Sequence, residues 1–283
     1  MSQPPPAGPD FDAPGFTGCY RHPDRQTGIR CQRCRRPICG ECMQPASVGF
    51  QCPECVARGR ASVRTPRTLF GAALKPGGGA TTKVMMGVLA GVYVLNLVTL
   101  GWLDSLVLMS NQAVAAGQFW RLLTAALVGP GLFGVLLNLL VLWLVGRAIE
   151  SELGGWRFVA LYLVAGLGGS TLAFVLGPPG LIGAGASWAI IGLLAANAIG
   201  KLKSHEDVRG DLSLLILLIL YSILVGFRFF GWLGMIGGAV TGALAGVILA
   251  YAPRQNRAAV QLFGLLGVAL VCLLAVVARI ALG

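Results

Sequence analysis

The chain has 283 residues, of which 55% are hydrophobic and 12% charged, with a mean hydropathy of +0.75. An ordinary soluble domain carries about 25% charged residues, so this composition excludes a typical soluble enzyme and a disordered chain. The formal charge of +11 is concentrated at the front: residues 1–83 hold twelve of the 22 Lys and Arg, five of the eleven Asp and Glu, and seven of the eight cysteines.

Residues 1–17 are polar and Pro-rich without an apolar core, so they read as a disordered tail and not as a secretory signal. The next segment, 18–57, contains Cys19-x2-His22-x8-Cys31-x2-Cys34-x4-Cys39-x2-Cys42-x9-Cys52-x2-Cys55. These are four ligand pairs, each with two intervening residues. A tetrahedral zinc site takes four such ligands, so eight make two closed structural sites with no position left for catalytic water. The short gap between Cys34 and Cys39 favours cross-bracing, with Cys19, His22, Cys39 and Cys42 on one ion and Cys31, Cys34, Cys52 and Cys55 on the other. Thiolate ligands point to a reducing compartment. The head resembles a B-box-type zinc finger, which implies recruitment of a cytosolic protein partner or a scaffolding role. The arginines at 30, 33, 35 and 36 are a weak case for nucleic acid. Residues 58–83 are basic, contain Gly77-Gly78-Gly79 and read as a linker that can touch anionic lipid.

From residue 84 to the end, apolar runs long enough to cross a bilayer recur. Spans are predicted near 84–103, 131–149, 157–176, 185–202, 211–227, 232–251 and 260–281. Basic residues gather before the first span and in alternate loops (Arg147 and Arg157; Lys201, Lys203 and Arg209; Arg254 and Arg257). This predicts a cytoplasmic N-terminus and a C-terminus outside. Cys272, within the last span, reads as a small buried hydrophobe.

Few polar residues interrupt the spans, and these are the first candidates for function. Trp120-Arg121, Asn138, Gly146-x-x-x-Glu150, Gly185-Ala186-Ser187 and the glycine series Gly238, Gly242, Gly246 occur in this order. Together they resemble the rhomboid family of intramembrane serine proteases. The resemblance implies an all-α polytopic fold, a six-helix bundle plus one C-terminal helix, over residues 84–283. It also implies Ser187 as nucleophile, Asn138 as an oxyanion donor, and transmembrane helices in the bilayer as substrates or clients. Read by themselves, Asn138 is equally a buried hydrogen-bonding residue, Ser187 a helix cap or packing residue, and Glu150 the partner of Arg147 or Arg157 in a loop ion pair. The glycine series reads as a flat stripe packing the sixth span on the fourth.

The family pattern breaks at the base. Aligned on Gly237, Gly238, Gly242 and Gly246, the family's histidine position is Met235, whose thioether cannot hold a proton near neutral pH. Two further family histidine positions are Gly134 and Gly129, and Trp188 replaces the glycine after the nucleophile. His205 and Lys201 lie about 27 and 21 Å along one helix from Ser187, too far to replace the base. The expected function is a rhomboid-like pseudoprotease that binds transmembrane clients; the alternative is an active intramembrane serine endopeptidase using Ser187.

Overall fold

The computed structural model describes residues 16–62, 68–72, 79–226, 230–253 and 255–282. Almost all of the expected disordered tail, and most of the expected linker between 63 and 78, lie outside these residues. The chain divides into two compact units, Met1–Thr65 and Pro66–Gly283.

The first unit is a small loop-rich head. Strands β1 (Thr17–Gly18) and β2 (Gln26–Thr27) pair antiparallel, as do β3 (Gln44–Pro45) and β4 (Phe50–Gln51), and helix α1 (Pro53–Ser62) follows. Its interior is Ile38 surrounded by cysteines. A segment this short buries too little apolar surface to hold itself together, so the cysteines must do more than fill space.

The second unit is a helical bundle. Helix α2 (Ala80–Val98) is followed by three short helices, α3 (Trp102–Val107), α4 (Asn111–Ala115) and α5 (Arg121–Thr124). A continuous rod comes next: α6 (Gly131–Val141), a π-helical turn (Leu142–Gly146) and α7 (Arg147–Leu153). Then come α8 (Gly155–Leu176), α9 (Ala186–Ser204), α10 (Arg209–Gly226), α11 (Gly231–Tyr251) and α12 (Arg257–Ala281). A helix occupies each of the seven expected span positions. Among the described residues five of them, α2, the α6–α7 rod, α8, α11 and α12, are long and apolar enough to cross a membrane by length and composition. The first span ends at Val98 and not at 103, because Leu100 and Gly101 adopt left-handed backbone (φ 51° and 84°) and the chain turns into α3. Asn96 closes that turn by donating to Asp104 and accepting the Asp104 amide.

Helix α9 lies at the centre, buried along most of its length between α8 and α11. Small residues permit the approach. A methyl group at Gly242 would overlap the Gly192 backbone, and one at Gly246 would come within 2.7 Å of the Ala196 Cα. The expected glycine stripe is therefore the α9–α11 contact. Gly242→Leu is expected to cost at least about 3 kcal/mol, the upper range for overpacking. Gly87→Ala, where an added Cβ meets nothing, should be neutral or gain up to about 1 kcal/mol in helix propensity. Denaturation of both variants in detergent checks the contrast.

Candidate functional site

The site is built where α9 begins. A two-residue pairing of β5 (Met109–Ser110) with β6 (Ile182–Gly183) leads into it. The amides of Gly185 and Ala186 then donate to the carbonyls of Ala125 (2.8 Å) and Val128 (3.1 Å). This fixes the first turn of α9, where the Gly185 N-cap has no side-chain cap. Ser187 does not cap the helix: its Oγ donates to Asn138 Oδ1 on α6 at 3.0 Å. Asn138 is 5% exposed, and its Nδ2 has no hydrogen-bond partner among the described residues.

Both side chains line a cavity of about 480 Å³, together with Met235 of α11, Ser222 of α10, Gly134 and Trp188. No titratable side chain is among its described lining residues. The rest of the lining is apolar, so the cavity accepts an uncharged, largely hydrophobic group and offers it hydroxyl and amide hydrogen bonds. The structure thus brings Ser187, Asn138 and Met235 together, although they are far apart in sequence. Lys201 instead bonds Asp211 at 2.5 Å, and His205 sits exposed at the end of α9 in left-handed backbone. Ser222 stands out in the sequence as one of the few polar residues within the apolar spans, and the structure places it in the same lining.

Trp188 is 2% exposed and does not face lipid. Its indole fills the space above three glycines: a Cβ at Gly234 would overlap the ring, one at Gly183 would lie 2.7 Å from it, and one at Gly169 2.7 Å from its own Cβ. The side chain is therefore part of the α8–α9–α11 packing.

The surrounding motifs are structural. The buried Arg121 guanidinium donates to Gln118 Oε1 (2.6 Å), to the Leu108 carbonyl (2.8 Å) and to the Ser105 carbonyl, while Trp120 Nε1 donates to the Leu106 carbonyl. These bonds hold the segment from α3 to α5. Glu150 corrects the expected loop ion pair. Its carboxylate accepts from the amides of Thr81 (3.0 Å) and Thr82 (2.7 Å) and from Thr82 Oγ1 (2.7 Å). It caps the N-terminal end of α2, where free amides favour an anion. Gly146, one turn earlier, leaves room for Thr82, since a methyl there would lie 2.6 Å from its Cγ2. Cys272 is buried, as its sequence context suggests.

In the head, two ligand clusters form: Cys19, His22, Cys39 and Cys42, and Cys31, Cys34, Cys52 and Cys55. Within each, the ligand atoms all lie within 4.8 Å of one another, which is the cross-braced pairing. The Cys34 and Cys52 sulfurs are 3.7 Å apart, and His22 Nδ1 is 3.4 Å from the sulfurs of Cys39 and Cys42. Tetrahedral zinc with ordinary bond lengths separates two sulfurs by about 3.8 Å and a sulfur from a nitrogen by about 3.6 Å, so the donors fit such an ion. Burial works against a thiolate at Cys19 and Cys31. Backbone amides outweigh it, those of Arg21, Cys39 and His22 at the first and of Cys34, Cys52 and Arg33 at the second, and hold each thiol at about 6. The clusters can hold metal without offering an open position for reaction.

The helical bundle thus packs around a central small-residue helix whose start opens on the Ser187 cavity. The rhomboid domain profile matches residues 116–252. The chain thus carries a rhomboid domain within an apolar helical bundle, that of an integral membrane protein, and an N-terminal Cys/His-rich, zinc-finger-like region. It is 36% identical over 143 residues to Rhomboid protease GluP of Bacillus subtilis, covering 49% of this chain and 28% of that protein. It is 32% identical over 167 residues to RHOMBOID-like protein 1 of Arabidopsis thaliana, covering 57% and 41%. It is also 29% identical over 151 residues to Inactive rhomboid-related protein 2 of Caenorhabditis elegans, covering 50% and 43%. The chain spans well under two thirds of the length of each of these relatives.

Proposed function

We propose that this protein is a rhomboid pseudoprotease that binds transmembrane segments of client proteins. The observation that carries the reading is Met235, lining the same cavity as Ser187 with no proton acceptor among the described lining residues. A serine hydroxyl attacks only when a base removes its proton. Here the proton points to an amide oxygen, which does not take it near neutral pH. The apolar cavity and its hydrogen-bonding groups remain suited to holding part of a client helix. The N-terminus is cytoplasmic and the C-terminus outside, and residues 18–57 bind two structural zinc ions and engage a cytosolic protein. The boundaries of this organisation are 18–57 for the zinc domain, 58–83 for the linker and 84–283 for the membrane domain.

Active-site labelling tests the reading. The purified full chain is expected to take up no fluorophosphonate at Ser187 and to leave a transmembrane substrate uncut. A second reading, an active intramembrane serine protease, draws on the retained Ser187–Asn138 pair and on the likeness to a protein named a protease. Cleavage that disappears in Ser187→Ala would establish that reading and end the first.

A further inference from the structure

Two long helices of the membrane unit, α8 and α12, begin side by side. Arg157 Nε, in the first turn of α8, donates at 2.7 Å to Gln261 Oε1, in the first turns of α12. Neither helix has a side-chain cap, and neither carries an acidic residue in its first turn. Each therefore presents its first-turn amides, uncapped by the N-cap side chain, and the positive end of its dipole. To these are added two guanidinium groups that meet over Gly71. Measured from the position a Cβ would take at Gly71, a terminal nitrogen of Arg257 lies at 3.1 Å and one of Arg157 at 3.6 Å, so the two are no more than about 7 Å apart. Gly71 has φ +88°, and a side chain there would meet Arg257 at 2.8 Å. The glycine thus keeps the backbone low beneath both arginines.

An anion placed between two guanidinium groups at two positive helix ends is attracted by all of them at once. The donors are built in. Arg157 is 6% exposed and held by the Leu153 carbonyl as well as by Gln261, and Gln261 is in turn tied to the carbonyls of Phe70 and Leu249. Arg257 Nε is buried with no hydrogen-bond partner among the described residues. The height of the site matters too. It lies at the ends of two candidate membrane spans, Gly155–Leu176 and Arg257–Ala281, where lipid phosphates sit. Trp156 is 43% exposed beside it, with the Arg157 guanidinium 4.7 Å from its ring centre, and tryptophan favours that interface.

We propose that Arg157, Arg257 and the amide ends of α8 and α12 bind a phosphate-bearing anion, the headgroup of an anionic phospholipid. Arginine suits this ligand because its planar fork of donors matches phosphate oxygens. The site is distinct from the Ser187 cavity and does not depend on whether that cavity is catalytic.

The test follows thermal unfolding of the full chain in an uncharged detergent. The additives are short-chain phosphatidylglycerol, short-chain phosphatidylcholine and glycerol 3-phosphate. Phosphatidylglycerol is expected to raise the midpoint saturably and phosphatidylcholine to leave it unchanged. A weaker response to glycerol 3-phosphate assigns the site to lipid; an equal one, at equal concentration, would overturn the lipid assignment in favour of a soluble phosphate. Arg257→Gln should weaken the phosphatidylglycerol response about tenfold, as expected for losing a charge-assisted bond, while Arg209→Gln, at the start of α10, should not. Equal responses to the two lipids, or an undiminished response in Arg257→Gln, would overturn the proposal. If Arg257→Gln does not fold, native mass spectrometry of the unmodified protein decides: one retained phosphatidylglycerol in preference to phosphatidylcholine supports the site, and no preference rejects it.

Discussion

Removing metal from the full chain is expected to unfold the head and leave the membrane unit folded. Structural zinc in finger-like peptides is worth about 10–16 kcal/mol per ion, far more than so small a core supplies. Seven of the eight ligands are cysteines, clustered around Ile38, so without the ions the interior would be free thiols around one aliphatic side chain. The paired strands have only two residues each and cannot hold the shape. Cross-bracing makes the loss cooperative, since the ligand pairs alternate between the two clusters along the chain. Cys39→Ser should therefore loosen both sites and not one. Elemental analysis should find two zinc ions per chain. After chelation, protease should cut within residues 16–62 while the helical circular dichroism of the bundle persists. One ion per chain, or a head that stays protease-resistant without metal, would contradict this account.

Met235→His is expected to make Ser187 reactive. The substitution puts an imidazole into the cavity that already holds the hydroxyl and Asn138. A positioned general base contributes about 10²- to 10⁴-fold, so fluorophosphonate labelling of Ser187 should accelerate by at least about a hundredfold over the unmodified protein. The sign with pH is fixed by the base: only neutral imidazole accepts the proton, so the rate should rise as pH passes upward through about 6.5. Adding Ser187→Ala should abolish it. Gly134 brings no side chain to the same cavity, so full protease activity is not expected from this single change. A rate unchanged from the unmodified protein would mean that Met235 does not stand where a base can reach Ser187.

Much of this protein was legible residue by residue. Two-residue gaps between cysteines announce metal because a short turn can aim only nearby ligands at one ion, and the short step from Cys34 to Cys39 already favoured the cross-braced pairing that the clusters adopt. Apolar runs located the helices because lipid tolerates no unpaired backbone, and the glycine spacing marked the α9–α11 contact. The absence of a histidine near Ser187 was equally visible, since only two exist in the chain.

Side-chain direction was not legible. Trp188 could have faced lipid, a client or another helix. Its burial against Gly169, Gly183 and Gly234 depends on residues from three separate stretches of chain. Glu150 had arginines nearby in sequence, yet its carboxylate serves the amides at the start of α2, some seventy residues earlier. Phe70 lay in a stretch that read as a tether, yet it is 3% exposed and packs beside Gly200. Sequence alone determined which groups this protein possesses and which it lacks, because composition, spacing and hydropathy are properties of the chain. Only the tertiary structure decided which groups meet, because contacts between distant residues form when helices pack, and packing depends on the shapes of every surface at once.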